Sequence, residues 1–222
     1  MKTSITNIKF FVLKGPQEKR PHWVSNFIVP NANELMVRLK TNEGVEGFGL
    51  ATSYTDISPI VHVIQSGIPE RILGSNPLEP ERLYQSLFDL TASRLAHEKG
   101  WSREALIRIS AAVDIACWDI IGKVSGLPLY QLFGGFRNKV PCYVTCAYYR
   151  ESKDLVELKD EIQMLVEQGH QGFKGKVGGL SLAEDLERME LVREIIGPER
   201  DLMIDVNRAW DLKTAIDGAR LL

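Results

Sequence analysis

Apolar and polar residues alternate through the first fifty positions, which is typical of strands with one buried face. Two segments carry apolar side chains at every second position: Ile8, Phe10 and Val12, then Leu35, Val37 and Leu39. The turn at residues 41–44 leads into a third strand at about 45–48. We therefore predict an antiparallel meander over residues 5–50, interrupted by a long loop at 15–33 and followed by a second loop at 51–56.

The spacing of apolar residues then changes to three and four, which is the spacing of a helix face. It predicts helices at residues 59–68, 80–96 and 103–124. The third of these begins after Ser102 and ends at Gly126, and these residue types favour the two ends of a helix. Strands followed by helices predict an α+β region in the first half of the chain.

From residue 140 onward, strand-like and helix-like segments alternate. Strands are predicted at residues 140–145, 172–177 and 202–206, and helices are predicted to begin after the capping residues Ser152, Ser181 and Asp211. Three consecutive βα units with short connections imply parallel strands, in either an open doubly wound sheet or a barrel. Because three parallel strands leave both sheet edges exposed, we expect this region to be incomplete as written or to be completed by a partner.

The composition is that of a globular protein, with 222 residues, 44% hydrophobic residues, 25% charged residues and a formal net charge of -2. No basic cluster indicates nucleic-acid binding, and no apolar run or signal-peptide core indicates a membrane, so we expect a cytoplasmic location. The three cysteines, Cys117, Cys142 and Cys146, form no C-x-x-C pair, so neither a disulfide framework nor a zinc site is predicted. We expect all three to be small buried residues.

Candidate chemistry begins with Lys174 and Lys176 in the strand predicted at 172–177. Side chains alternate along a strand, so both lysines project to the same side of the sheet. Each ammonium group disfavours the charge of the other, and partial burial has the same effect, so one lysine could be neutral often enough to accept a proton. The alternative is an ordinary solvated lysine pair at a strand edge.

Asp205 ends the next predicted strand, and Asn207 follows two residues later. A carboxylate beside an amide oxygen suits a hard cation such as Mg²⁺, although one carboxylate alone does not make a site. The carboxyl ends of parallel strands meet at one edge, so the two lysines and Asp205 are predicted to share that edge. A base beside a cation site fits the removal of a proton next to a carboxylate group.

Four segments carry a resemblance through their order and spacing: residues 112–123, residues 126–135, Lys174-Gly175-Lys176, and residues 205–210. Together they resemble the enolase superfamily, in the branch that contains mandelate racemase, muconate lactonizing enzyme and the acid-sugar dehydratases. The resemblance implies an α+β capping domain over residues 1–125. It implies that residues 126–222 form the first three βα units of an incomplete (β/α)7β TIM-like barrel.

The resemblance also implies roles for individual residues. Lys176 is expected to be the catalytic base or acid at the α-carbon of the substrate, and Lys174 is expected to tune its pKa and approach the substrate carboxylate. Asp205 is expected to be a Mg²⁺ ligand, with Asn207 beside the substrate. In such proteins two capping loops choose the substrate, and here these loops hold the binding candidates Arg20, His22, Trp23 and Tyr54.

The resemblance implies further metal ligands and a His/Asp pair on later strands, and this sequence does not contain them. We therefore expect an incomplete Mg²⁺ site and an inactive 222-residue chain, which is the N-terminal portion of a homo-oligomeric enzyme. The expected reaction is abstraction of the α-proton of a small carboxylate. Dehydration of an acid sugar is favoured because the loops carry polar and cationic side chains.

Other functions remain open at this stage. The same family resemblance allows a racemase or epimerase, a cycloisomerase, or a non-catalytic truncated remnant. An unrelated open α/β sheet of the flavodoxin type is disfavoured, because Cys146-Ala147-Tyr148 follows the first parallel strand where a Gly-rich phosphate loop would be needed.

Overall fold

The computed structural model describes residues 3–15, 19–29, 33–53 and 56–221. The chain divides into two compact units. The first unit comprises Met1–Pro16 and Asn31–Asn138, and the second comprises Gln17–Pro30 and Lys139–Leu222. No helix in the part of the chain that the structure describes combines the length and the apolar composition that a membrane span requires.

The regular elements follow one another from the amino end to the carboxyl end. The strands are β1 (Ile5–Lys14), β2 (His22–Val24), β3 (Phe27–Val29), β4 (Asn33–Thr41), β5 (Glu46–Ser53), β6 (Tyr143–Cys146), β7 (Tyr149–Arg150), β8 (Gly172–Lys176) and β9 (Asp201–Asp205). The helices are α1 (Ser58–Gln65), α2 (Pro69–Ile72), α3 (Pro80–Asp89), α4 (Arg94–Lys99), α5 (Arg103–Ser125), α6 (Leu129–Leu132), α7 (Leu155–Glu167), α8 (Leu182–Ile196) and α9 (Leu212–Leu221).

The first unit is an antiparallel sheet of strand order β1-β4-β5 packed against helices, as the alternating pattern predicts. The inward face of β4 is fully buried at Leu35, Val37 and Leu39, and it belongs to the same apolar core as the long helix α5. The sheet and α5 approach closely because β5 carries two glycines. A Cβ added at Gly49 would lie 1.9 Å from the Ala112 carbonyl oxygen, and one added at Gly47 would lie 2.2 Å from the Ala116 carbonyl oxygen.

The second unit contains a parallel sheet of order β6-β8-β9, which confirms the predicted βα repetition. Helices α7 and α8 bury their apolar faces with one face of this sheet in a core that includes Ile162, Phe173 and Val192. Strand β9 aligns with β8 so that Lys176 is opposite Asp205. Closure into a barrel stays a prediction, because the described residues contribute three parallel strands to this sheet.

The loop predicted at residues 15–33 contains regular structure that the sequence reasoning missed. Strands β2 and β3 form a hairpin, and β2 also pairs with β7 in a second small sheet of order β3-β2-β7. Each strand has only two or three residues, and the partner of β2 lies far away in the sequence. Such short segments carry no periodic signal of their own. The second predicted loop also starts later, because β5 extends to Ser53.

Two helix boundaries differ from the prediction. Helix α7 is capped by Asp154, whose Oδ1 accepts a hydrogen bond from the backbone N–H of Glu157 at 2.9 Å, and not by Ser152. Ser152 instead has a left-handed backbone with φ of 60°. The helix predicted at 80–96 is divided, because Ser93 caps α4 through the N–H of Ala96. By contrast, the predicted capping box of Ser181 and Glu184 at α8 is confirmed.

The cysteines are not all buried. Cys117 and Cys146 lie in the apolar cores of their units, as predicted, but Cys142 is exposed. The prediction was wrong for Cys142 because β6 begins at Tyr143 and not at residue 140, so Cys142 lies just outside the strand that was expected to bury it.

Candidate functional site

The candidate site is a group of four side chains at the carboxyl ends of β8 and β9. Lys174 and Lys176 project from β8 to one side, whereas Phe173 and Val177 lie on the other side in the apolar core. Asp205 ends β9, and Asn207 follows with φ of 45°. We call Lys174, Lys176, Asp205 and Asn207 the strand-end cluster.

Hydrogen bonds and ion pairs hold the cluster together. The Lys176 ammonium group donates to Asp205 Oδ2 at 2.8 Å and to Asn207 Oδ1 at 3.0 Å. Lys174 Nζ lies 3.3 Å from the same Asp205 oxygen. The backbone N–H of Asn207 donates to the other carboxylate oxygen, Asp205 Oδ1, at 3.0 Å. The left-handed turn at Asn207 therefore directs both its amide oxygen and its N–H toward groups of the cluster.

The electrostatics of the cluster centre on Asp205. Burial raises the pKa of the Asp205 carboxyl, but hydrogen bonds from Lys176 and the Asn207 N–H, with the lysine charges, outweigh burial and lower this pKa to about 2. Burial lowers the pKa of Lys174, yet its hydrogen bond and ion pair with Asp205 outweigh that effect and raise the pKa. The pKa of Lys174 thus shifts against the direction that lysine–lysine repulsion predicts, because the lysines share a carboxylate.

Two tyrosines beside the lysines were missed by the sequence reasoning. The Tyr143 ring lies 5.0 Å from Lys174 Nζ, and the Tyr148 ring lies 5.4 Å from Lys176 Nζ. Both are cation–π distances. The sequence contained a signal for Tyr148. This residue lies two positions after the end of the first parallel strand, as Asn207 lies two positions after the end of the third.

The three binding candidates in and just before the hairpin lie at different distances from the strand-end cluster. His22 packs edge to face on Tyr148, with ring centroids 4.7 Å apart, so it is one aromatic ring away from Lys176. Trp23 stacks on Tyr149 at 5.8 Å. The Arg20 guanidinium donates to the carbonyl oxygen of Glu151 and pairs with Glu157 at 3.1 Å. These contacts hold the hairpin in place within the second unit.

Tyr54, the binding candidate of the second loop, lies outside the described residues. Asn207, which the sequence predicts to lie beside the substrate, is in direct contact with Lys176. Of the residues proposed from the sequence, the structure thus brings Lys174, Lys176, Asp205 and Asn207 together.

The described residues supply only part of a metal site. Within them, no group of three or more histidine, cysteine, aspartate or glutamate side chains is arranged to hold a metal ion. The oxygen donors at the cluster are the Asp205 carboxylate and the Asn207 amide, which are of the type that Mg²⁺ prefers. One carboxylate, already in contact with two ammonium groups, is too little charge for a complete Mg²⁺ site.

Comparison with known protein families gives two matches along the chain. Residues 7–134 match the family described as mandelate racemase / muconate lactonizing enzyme, N-terminal domain. Residues 157–222 match the family described as enolase C-terminal domain-like. The first match covers the sheet and helices of the first unit, and the second covers β8, β9 and the strand-end cluster.

Individual relatives include enzymes with different reactions. The chain is 31% identical over 184 residues to arabinonate dehydratase of Saccharolobus solfataricus, covering 83% of this chain and 48% of that protein. It is 27% identical over 212 residues to N-succinyl-L-Arg/Lys racemase of Bacillus cereus, covering 93% of this chain and 53% of that protein. The chain spans about half the length of the curated relatives that it matches.

A crystal structure shows the same relationship in three dimensions. The L-talarate/galactarate dehydratase of Salmonella typhimurium LT2, liganded with Mg and L-lyxarohydroxamate, superposes with a TM-score of 0.81 and 27% sequence identity. The alignment covers 99% of this chain and 56% of that one. The order of strands and helices in the described residues is therefore shared with that structure.

Proposed function

We propose, since this chain belongs to the mandelate racemase/muconate lactonizing enzyme branch of the enolase superfamily, that its strand-end cluster serves a Mg²⁺-dependent abstraction of the proton next to a carboxylate. The observation that carries this proposal is the meeting of Lys176, Lys174 and Asp205 within hydrogen-bonding or ion-pair distance. The chain contributes the base and one metal ligand to the enzyme.

Lys176 is the proposed proton carrier. Only 5% of this residue is exposed, and Asn207 Oδ1 fixes the position of its ammonium group, so its movement and its contact with water are restricted. A lysine that is held in this way can meet the α-carbon of a bound acid in one defined geometry. Lys174 is more accessible and keeps its charge, which suits it to attract the substrate carboxylate.

Asp205 is the proposed Mg²⁺ ligand of this chain, and Asn207 is the proposed substrate contact beside it. When bound, Mg²⁺ would stabilise the negative charge that develops on the substrate carboxylate as the α-proton leaves. Asp205 raises the pKa of Lys174, so engagement of Asp205 by a cation would lower the pKa of Lys174 back toward its ordinary value.

The proposed substrate is an acid sugar and the proposed outcome is dehydration. Two dehydratases of sugar acids support this assignment, one from the sequence comparison and one from the structure comparison. Arg20, which precedes the hairpin, and His22 in β2 are side-chain types that suit hydroxyl and carboxylate groups. Racemisation is the second candidate, because the racemase relative matches a larger share of this chain than the dehydratase relative does.

Exchange of the α-proton tests the proposed chemistry directly. A full-length version of the protein is incubated in D2O with Mg²⁺ and a panel of sugar acids that includes arabinonate and galactarate, and loss of the α-proton signal is followed by NMR. We expect exchange that is abolished in Lys176→Ala and retained in Lys159→Ala, which removes an exposed lysine of α7. Loss of exchange in Lys176→Ala but full activity in Lys176→Arg would contradict a proton-transfer role.

Metal binding is tested separately by thermal unfolding of the same full-length version in increasing MgCl2. A ligand at ten times its Kd stabilises the folded state by about 1.4 kcal/mol, which raises the melting temperature measurably. We expect this shift to disappear in Asp205→Ala and to persist in Asp201→Ala, which removes an exposed carboxylate at the opposite end of β9. An equal shift in both variants would mean that Mg²⁺ binds elsewhere.

A further inference from the structure

A buried arginine connects the ends of two strands at the candidate site. Arg188 lies on α8, and 8% of it is exposed. Its Nη1 donates to the carbonyl oxygen of Lys176 at 3.0 Å, and its Nη2 donates to the carbonyl oxygen of Ala147 at 2.6 Å. One guanidinium group thereby links the last residue of β8 to the first residue after β6.

Arg188 is itself held by a closed set of partners. Asp185, which is fully buried, accepts hydrogen bonds from Arg188 Nη1 at 2.8 Å, from the Tyr149 hydroxyl at 2.7 Å and from the Gly178 N–H at 2.6 Å. The Tyr149 hydroxyl also accepts from the Gly179 N–H at 3.0 Å, and its ring lies 4.1 Å from the guanidinium carbon. Because the buried charges are paired and hydrogen-bonded, the arginine has one defined orientation.

The Ala147 end of this connection has a strained backbone. Ala147 has φ of 55°, a left-handed conformation that alanine rarely adopts. Glu161 Oε1 accepts a hydrogen bond from its N–H at 3.0 Å, while Arg188 donates to its carbonyl oxygen, so the unusual turn is fixed on both sides. The next residue, Tyr148, then places its ring 5.4 Å from Lys176 Nζ.

We propose that Arg188, oriented by Asp185 and Tyr149, is a positioning residue for Lys176. It binds the main chain of Lys176 at one end and the turn that carries Tyr148 at the other, so it sets the relative position of the lysine and the ring beside it. The inference rests on the proposed function, in which Lys176 moves the α-proton. Arg188 lies outside the strand-end cluster, and the proposal is that it controls the geometry of that cluster.

The same helix provides a matched control. Arg193 of α8 also donates from Nη1 to two main-chain carbonyl oxygens, those of Gly197 and Arg200, both at 2.8 Å. These carbonyls lie beyond the carboxyl end of the helix, whereas the Lys176 carbonyl lies at the other end. Arg188→Lys and Arg193→Lys therefore remove similar hydrogen bonds, and only the first removes a contact with Lys176.

The test observes Lys176 at a fixed pH, without Mg²⁺ or substrate. Protein labelled with ε-13C-lysine gives one NMR signal per lysine, and the Lys176 signal is assigned by its loss in Lys176→Arg. We expect Arg188→Lys to displace or broaden the Lys176 signal by more than its linewidth, and Arg193→Lys to leave it in place. Neither variant should move the signal of exposed Lys159.

An unchanged Lys176 signal in a folded Arg188→Lys protein would overturn the proposal, whatever the change in melting temperature. If Arg188→Lys does not fold, Tyr149→Phe replaces it, because this substitution removes only the hydroxyl that contacts Asp185 and Gly179. We expect the same displacement there, and its absence overturns the proposal.

A kinetic measurement then separates this inference from the proposed function. In the α-proton exchange assay, Arg188→Lys is expected to lower kcat at least tenfold and to change KM less than twofold. A displaced Lys176 signal in a protein whose wild type exchanges no α-proton would refute the proposed function and leave the positioning contact intact. Unchanged kcat together with an unchanged signal would refute the positioning role alone.

Discussion

At the scale of single residues, the site depends on one carboxylate, Asp205, that contacts both lysines. Strand alternation was sufficient to predict that Lys174 and Lys176 point the same way, and parallel strand ends were sufficient to place Asp205 near them. Sequence could not show that one carboxylate oxygen would contact both ammonium groups, because that depends on strand register and side-chain rotamers. The direction of the pKa shift of Lys174 follows from this shared contact.

Removing one of the two lysine charges should change the pKa of Asp205. We expect Lys176→Met to raise the pKa of Asp205 from about 2 toward its ordinary value of 3.8, because the first hydrogen bond that lowers it comes from Lys176. The pKa is measured by 13C NMR of the aspartate carboxyl groups, with Lys159→Met as the control. An unchanged Asp205 titration would contradict the ion pair.

The same pKa has a consequence for stability. The folded-state pKa of Asp205 is depressed, so its contribution to stability is present above pH 3.8 and is lost as the pH falls toward about 2. Acid unfolding curves of wild type and Lys176→Met should therefore converge in this pH range.

The cysteines give a second prediction at residue scale. Burial raises the pKa of both Cys117 and Cys146 to about 12, whereas Cys142 is exposed. Because the thiolate is the reactive form, we expect one fast-reacting thiol per folded chain at pH 7.5. The number of fast thiols is measured with a chromogenic disulfide reagent, and Cys142→Ser should remove the fast phase. A fast phase that survives in this variant would show that a core cysteine is accessible.

At the scale of elements, the sequence was most informative where capping and periodicity agree. Helices α5 and α8 begin at Ser102 and Ser181 as predicted, since each serine hydroxyl accepts a backbone N–H three residues on. The hairpin β2–β3 could not be predicted in the same way, because its strands are short and β2 pairs with β7, a strand of two residues from a distant part of the chain. The Asp154 cap was missed because Ser152 offered a similar hydroxyl two residues earlier.

Close packing of β5 on α5 makes a prediction at this scale. We expect Gly49→Ala to lower the free energy of unfolding by about 1–3 kcal/mol or more, because its Cβ would overlap the backbone of α5, which cannot move as a flexible side chain can. Chemical denaturation measures the change. Leu50→Ala is the control, because Leu50 is exposed on the neighbouring position of the strand. A loss in Gly49→Ala no larger than in Leu50→Ala would contradict the contact.

At the scale of the molecule, the α+β region and the parallel βα region were both predicted, and two separate apolar cores correspond to them. The assignment of residues to the two regions was harder. The hairpin segment lies early in the sequence yet belongs to the second unit, because its pairing partner is there. The sequence cannot reveal that a segment belongs to a distant unit when the strands that pair it there are too short to produce a periodic pattern.

The two cores should respond independently to matched substitutions. Ile109 lies in the core of the first unit and Ile162 in the core of the second, and both are buried. Removing one methylene from a buried isoleucine costs about 0.5–1.5 kcal/mol. We expect Ile109→Val to reduce amide hydrogen-exchange protection mainly in the first unit and Ile162→Val mainly in the second, measured by mass spectrometry. Equal losses across both units in either variant would show a single cooperative structure.

The pairing of β2 with β7 has a consequence for how this protein diversifies. His22 is opposite Arg150 and Trp23 is opposite Tyr149, while 131 positions separate Arg20 from its partner Glu151 along the chain. When the sequence of one of these stretches changes, its side chains no longer fit the paired residues of the other stretch. We therefore expect compensating substitutions in both stretches. Transplanting residues 19–29 from a relative is therefore expected to succeed when residues 148–151 travel with them and to fail when they do not.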